Sequence, residues 1–307
     1  MTVRVYRSTD ASAPIMSGSP GALISLLDAC LVNGYGSSVA AGWTKPFFTG
    51  ATVAAYKQGA GSNGMYFKFF DTGTTWSNCY GAETMTDINT TTGDFPSPGT
   101  RSVSGYNPIV FKSAYGDSSA VPWMLVASEK WFMLFITSVR DALAIPNYIT
   151  GFYCGDIVSE RANDAYATAI LSGTSFQYYD QQFAATLNNL NGIQPGNMLA
   201  RAWYQLGNCV HVSKTADPVR AYTGTYPSMT DSQISLSPWV LMEGGIVRGR
   251  VPGIYVPTWN NGNGNTFTMV DGQRVSFTEG ELAGKTFEAK FIAPSQQFLL
   301  IEISNTY

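Results

Sequence analysis

The sequence is poor in charged side chains, which make up 13% of its 307 residues, about half the share usual in soluble domains. Acidic residues outnumber lysine and arginine by 21 to 18, so the formal net charge is −3. Long basic runs are absent, and a chain without them has little electrostatic attraction for nucleic-acid phosphates. We therefore expect no specific nucleic-acid partner.

Long apolar runs are absent as well. No stretch reaches the ~18 consecutive apolar residues that a transmembrane helix needs, so we expect no membrane partner. The first residues, MTVRVYRSTDASAP, lack the apolar core of a secretory signal. We therefore expect the chain to be made in a cytoplasm and not exported by a standard signal.

Histidine and cysteine are scarce. The single histidine, His211, cannot build a multi-histidine metal site, and the G-x-S-x-G motif of many serine hydrolases is missing. We interpret His211 as a structural residue of a strand. The four cysteines have no C-x-x-C spacing, which favours buried free thiols over a disulfide framework or a zinc site; they are Cys30, Cys79, Cys154 and Cys209.

Pairs of carboxylates could still support hydrolysis. The densest group, Asp156, Glu160 and Asp164 in GDIVSERANDAY, would align on one face of a helix. The neighbouring Ile-Val and aromatic residues instead favour a strand end and a loop, with Asp164 fixing the turn into the next strand. Glu83 and Asp87 form a second acidic pair, which we interpret as solvated loop ends. We therefore predict no catalytic residue, no metal site, no cofactor and no enzymatic activity.

Glycine is plentiful, and the segment GYGSSVAAGW at 34–43 concentrates it. A phosphate-binding loop must open a helix, whereas this segment follows one. The preceding SPGALISLLDACLVN has apolar residues at helical spacing, with Ser19 predicted as the N-cap and Pro20 in the first turn. Asn33-Gly34 is a helix stop. We therefore predict a helix at about 20–33 and a turn after it, not a nucleotide site.

Most of the remaining sequence predicts strands. PWMLVAS (122–128) and WFMLFIT (131–137) are nearly continuous apolar runs, which predict a hairpin buried on both faces. The segments 148–159 and 165–171 predict the next two strands of the same meander. The expected fold class is mainly β, with antiparallel sheets in sandwich-like lobes and a few short helices.

Composition changes most near residue 173. We therefore predict a β-rich N-terminal lobe at 1–172, which carries the helix, and a β-rich C-terminal lobe at 173–307. A second short helix is predicted at 181–192, and further strands follow from residue 234 onwards.

Aromatic residues are as frequent as charged ones, which is typical of the centres of protein interfaces. Several aromatics lie near predicted loops, where they could stack on a sugar or a protein partner: Trp43, Trp76, Tyr80, Tyr106 and Trp259. Trp259, in TWNNGNGN, is the best surface candidate.

Two arginines, Arg248 and Arg250, are predicted on one face of a strand in GGIVRGRVPGIYVP. The prolines exclude a central position in a sheet. A salt bridge to a neighbouring subunit and an ion pair within the chain fit this pattern equally. The candidate interface residues are therefore Arg248, Arg250, Trp259 and Trp43.

Eight segments of the sequence point to a family. In the first half they are MTVRVYRSTDASAP, GALISLLDACLVNGYG, AGWTKPF, AAYKQG, MYFKFFDTG and YGAETMTDINTTTGDFP; in the second, FYCGDIVSERANDAYATAIL and VRGRVPGIYVP. In their residues and their order they resemble a family of virion structural proteins from tailed bacteriophages. Positions 173–232 match least. The resemblance lies in the residues of these segments and their order along the chain, and it includes no catalytic motif. It therefore carries over no functional residue.

The resemblance implies a β-rich component of the virion, assembled in the cytoplasm of the host bacterium. Its partners would be other virion proteins: further copies of itself, the portal or adaptor, or tail proteins. The sequence lacks coiled-coil heptads and β-helix repeats, which argues against a fibre shaft. We therefore expect an oligomeric ring or collar at the head–tail neck or on the tail. A capsid decoration protein and a host-glycan-binding tail module are the alternatives.

Overall fold

The structure is a computed structural model of the chain, and the fold is mainly β with antiparallel sheets, as the sequence predicts. It describes residues 2–96, 109–137, 149–174, 198–201, 210–211, 214–215, 234–243, 246–259, 271–278, 282–293 and 297–304. The predicted helix at 181–192 lies outside these residues. None of the helices in the described part of the chain has the length and apolar character needed to cross a bilayer.

The described part of the chain contains one helical segment, made of α1 and a π-helix, and strands of two to fourteen residues. Up to residue 111 they are β1 (Arg4–Arg7), α1 (Ala22–Leu27), a π-helix (Asp28–Asn33), β2 (Thr44–Thr49), β3 (Val53–Lys57), β4 (Tyr66–Phe70), β5 (Trp76–Ala82), β6 (Thr84–Met85), β7 (Thr91–Thr92) and β8 (Ile109–Phe111). Up to residue 215 they are β9 (Trp123–Ala127), β10 (Trp131–Thr137), β11 (Ile149–Asp156), β12 (Val158–Ser159), β13 (Thr168–Thr174), β14 (Met198–Leu199), β15 (Val210–His211) and β16 (Lys214–Thr215). The last are β17 (Ile234–Glu243), β18 (Ile246–Trp259), β19 (Arg274–Ser276), β20 (Thr286–Ala293) and β21 (Gln297–Glu302).

Three sheets contain nearly all of these strands. The central sheet has the order β1-β9-β10-β11-β13-β14-β15. A second sheet, called the inner sheet below, packs with α1 and has the order β2-β3-β4-β5-β8. The third sheet has the order β16-β17-β18-β21-β20-β19, and β12 pairs with β18. The strands β6 and β7 form a separate small hairpin.

The central sheet is covered on both faces, which explains its continuous apolar runs. In β10, Phe132, Leu134 and Ile136 pack in one core with α1 and the inner sheet. The alternate residues of the same strand pack in a second core with the third sheet; they are Trp131, Met133 and Phe135. Burying each such side chain contributes about 1.5–3 kcal/mol. The predicted hairpin of β9 and β10, buried on both faces, is confirmed.

The predicted boundary between residues 172 and 173 is wrong. It falls inside β13, and β13 continues the central sheet by pairing with β14 at Met198–Leu199. The second core also mixes residues from the two predicted lobes, such as Met133 and Leu241. Composition could not reveal this, because strand pairing and shared cores depend on contacts between distant segments.

The apolar face of the predicted helix is confirmed, since Leu23, Leu26, Leu27, Cys30 and Leu31 are all fully buried. The helical segment continues as the π-helix and ends at Asn33, followed by Gly34 at a φ of 78°. Asn33-Gly34 therefore acts as the predicted stop.

The start of the helix differs from the prediction. α1 begins at Ala22, and its N-cap is Gly21, which has no side chain to accept a capping hydrogen bond. The carboxylate of Asp71, just after β4, accepts the backbone N–H of Leu23 at 2.8 Å. Ser19 is therefore not the cap, because a buried carboxylate from a distant strand satisfies the first turn of the helix instead.

Candidate interaction surfaces

Arg248 is buried and paired within the chain. Its guanidinium forms an ion pair with Asp164, and both side chains are almost completely shielded from solvent. Its Nη1 also donates to Ser159 Oγ at 2.8 Å. The sequence left open a salt bridge to a neighbouring subunit and an ion pair within the chain, and the structure shows the second for Arg248. The prediction of Arg248 as an exposed interface residue is therefore wrong.

Arg248 and Arg250 do not share a face of β18, contrary to the prediction. Arg250 lies opposite Val240, but three residues earlier Val247 lies opposite Met242, so β18 carries one extra residue at this point. A β-bulge of this kind redirects the side chains on either side of it. Arg248 is consequently buried and Arg250 is exposed. A simple alternation read from the sequence cannot show such a bulge.

Trp43 is a core residue, so its prediction as an interface residue is wrong. Its ring lies 5.8 Å from that of Phe67 and 5.5 Å from that of Phe132, measured between centroids. Its Nε1 donates to the backbone oxygen of Ser128 at 2.7 Å. Because the indole bridges the inner and central sheets, it fixes the return of the chain after the helix.

The other predicted aromatics have different settings. Trp259 ends β18 opposite Ile234, but its side chain lies outside the described residues, as does all of Tyr106. Tyr80 is half-buried and packs edge-on against Phe70, with centroids 5.4 Å apart. Trp76 is half exposed, so among these candidates it is the aromatic shown at the surface.

The carboxylates of GDIVSERANDAY do not form one site. Asp156 accepts bonds from Gln58 Nε2 at 2.8 Å and Thr168 Oγ1 at 3.0 Å; burial raises its pKa, and these bonds oppose that rise. Asp164 is committed to Arg248, and Glu160 is exposed. The predicted strand end and loop are confirmed, since β11 ends at Asp156.

The second acidic pair, Glu83 and Asp87, also does not form one site. Glu83 forms a two-bonded ion pair with Arg201, with Nη2 and Oε2 2.5 Å apart, so its reading as a solvated loop end is wrong. The guanidinium of Arg201 lies 3.7 Å from the ring centroid of Tyr166. Asp87 is exposed as predicted. These contacts tie the turn before β6 to the end of β14.

His211 lies in β15 opposite Met198, so its strand position is confirmed; its side chain lies outside the described residues. Cys30, Cys79 and Cys154 are buried free thiols, as predicted, and Cys209 lies outside the described residues. Within the described ranges, no three His, Cys, Asp or Glu side chains form a group that could hold a metal ion.

An exposed strip lies where β12 meets β18. Val158 lies directly across from Arg250, and Val247 lies three residues earlier on β18. Both valines keep 42% of their surface exposed. We call Val158, Val247 and Arg250 the Arg250 strip. Arg250 could be identified from the sequence, but the exposed valines could not: the two-residue strand β12 of Val158 has no pattern of its own, and the β-bulge of β18 sets the direction of Val247.

The second candidate surface is the Gly18 cluster, which comprises the segments 15–18, 72–76 and 115–118. Residues 16–18 are buried, and the exposed residues of the cluster lie mainly in the other two segments. A Cβ at position 18 would lie 1.9 Å from the backbone oxygen of Tyr115 and 2.8 Å from that of Thr74. Glycine therefore allows the three segments to meet. Trp76 and Tyr115 expose 50% and 42% of their surfaces here.

Comparison of the sequence with models of known protein families and with curated proteins gives no match.

Proposed function

We propose that the chain is a structural protein of a tailed-bacteriophage virion, which associates with copies of itself into a ring or collar at the head–tail neck or on the tail. The resemblance of its segments to such virion proteins supports this assignment. In this proposal it performs no reaction, and its partners are portal, adaptor or tail proteins in a particle assembled in the bacterial cytoplasm.

The Arg250 strip is the observation that carries the self-association. Two exposed valines beside an exposed arginine combine apolar area with a side chain that is enriched at the energetic centres of interfaces. The strip lies on ordered strands, because β12 pairs with β18 at Val158–Ser159. A partner subunit would therefore meet a surface that needs little ordering on binding.

Reversing the charge at Arg250 or introducing a charge at Val158 should weaken assembly. We expect Arg250→Glu and Val158→Lys each to raise the dissociation constant of the oligomer at least about tenfold, which is ~1.4 kcal/mol. Analytical ultracentrifugation over a concentration series measures this. Val39→Lys is the matched control, because Val39 is an exposed valine outside the strip. Oligomers that tolerate both strip variants would rule out the strip as the interface.

Immunogold electron microscopy tests the virion assignment. Antibody to the chain is applied to particles purified from an infected culture, and gold at the head–tail junction or along the tail is the expected result. Gold over the whole head would instead make the chain a capsid decoration protein, and gold confined to the tail tip would favour host binding. An accessible epitope with no gold on any particle would refute the virion assignment.

A further inference from the structure

We propose that the Gly18 cluster is a binding site for an uncharged oligosaccharide, with Trp76 and Tyr115 as its stacking platforms. The proposal concerns a surface separate from the Arg250 strip and does not depend on where the chain sits in a particle.

The two aromatic side chains are presented by a rigid frame. Trp76 begins β5, and its cross-strand neighbour is Phe111 of β8. Tyr115 lies four residues after that strand, in a segment held against position 18 by the close backbone approach described above. Gly116 lies against Thr74, where a Cβ would stand 3.4 Å from the threonine side chain. Thr74 is therefore held near the segment that carries Tyr115.

The two segments that carry the rings also carry exposed polar side chains of the kind that bind sugars. Thr72, Thr74 and Ser118 are exposed, and hydroxyls both donate and accept hydrogen bonds. The carboxylate of Asp117, also exposed, adds an acceptor. A pyranose ring offers apolar C–H faces to an aromatic ring and hydroxyls at its edge, so a site with few polar groups beside aromatic area fits it.

The charge of the cluster argues for a neutral ligand. Asp117 is the single charged residue in the three segments. Lys112, the lysine next to β8, is fully buried against Asp71. Binding of phosphate or of acidic sugars relies on exposed cations, and this surface presents a carboxylate instead.

Binding to a panel of immobilised oligosaccharides tests the site. The panel contains neutral hexose and N-acetylhexosamine oligomers together with uronic-acid and sialylated ones. We expect the full chain to bind at least one neutral oligomer in preference to the acidic ones. Trp76→Ala and Tyr115→Ala should each weaken that binding about tenfold or more, because each removes one stacking surface.

Phe48→Ala is the matched control, since Phe48 is an exposed aromatic of β2 outside the cluster, and it should leave binding unchanged. Trp76→Phe should restore part of the affinity lost in Trp76→Ala, and all variants should keep the unfolding midpoint of the parent. The proposal is overturned if no neutral oligomer binds, if acidic oligomers bind better, or if Trp76→Ala binds as the parent does. The readout is binding of the full chain to the immobilised oligosaccharides, so the test is independent of the virion assignment.

Discussion

Replacing Lys112 with methionine is expected to lower the free energy of unfolding by about 3–5 kcal/mol, since it leaves a buried charge without its partner. The Nζ of Lys112 lies 2.5 Å from Asp71 Oδ1, and neither side chain is exposed to solvent. Burial raises the pKa of Asp71 and lowers that of Lys112, and each group opposes the shift of the other. Without the ammonium, only the backbone N–H groups of Leu23 and Ile24 compensate the loss of water around the carboxylate.

The ammonium of Lys112 has polar partners in three segments of the chain. It forms the ion pair with the Asp71 carboxylate and donates to the backbone oxygens of Ser19 at 3.0 Å and Gly73 at 2.9 Å. Asp71 in turn accepts the backbone N–H groups of Leu23 and Ile24 in the first turn of α1. The pair therefore joins the start of the helix to β8 and to the turn after β4, so its loss should loosen the helix as well.

Urea unfolding at neutral pH measures the effect. Lys45→Met is the matched control, because Lys45 pairs with Asp28 at 2.5 Å but both side chains are partly exposed; we expect it to cost about 0–1 kcal/mol. Asp71→Asn in the Lys112→Met background should recover part of the loss, since a neutral amide is cheaper to bury than a carboxylate. Equal costs at Lys112 and Lys45 would contradict the argument.

Patterns confined to one element were predictable from the sequence. The apolar spacing of Leu23, Leu27 and Leu31 identified the buried face of the helix, and Asn33-Gly34 identified its end. The unbroken apolar runs of β9 and β10 indicated burial on both faces, because a strand with one solvated face alternates instead. These signals succeed because the physical cause lies within a few residues of the pattern.

Features that depend on distant partners were not predictable. The helix is capped by Asp71, about fifty residues beyond its start in sequence, and Ser19 looked like a sufficient local cap. Arg248 and Arg250 were assigned to one face because a β-bulge leaves no mark in the alternation of residues. Trp43 lies beside a glycine-rich loop, yet it packs between two sheets whose contact only the fold creates.

Replacing Arg248 with methionine is the second change expected to cost about 3–5 kcal/mol at neutral pH, because it strands the buried carboxylate of Asp164. Burial alone would raise the pKa of Asp164, but hydrogen bonds from Arg248 and Ser159 outweigh it, and the pKa lies below its ordinary value. Arg274→Met is the matched control, because Arg274 of β19 also lies near a carboxylate, Glu288 at 3.6 Å, but its side chain is 62% exposed; we expect it to cost about 0–1 kcal/mol.

The pH dependence separates this ion pair from simple packing. A carboxyl whose pKa is lowered by folding stabilises the protein fully above its unfolded pKa, near 4, and loses that contribution as pH falls through the folded pKa. In Arg248→Met the hydrogen bond from Arg248 no longer opposes the effect of burial, so the pKa of Asp164 should be higher than in the parent. Acid should then protonate the buried carboxylate and reduce the loss of stability in the variant. Urea unfolding at neutral pH and near pH 3 should therefore show a difference between parent and variant that shrinks on acidification. A difference that is the same at both values would mean that Arg248 stabilises the sheet by packing and not through its charge.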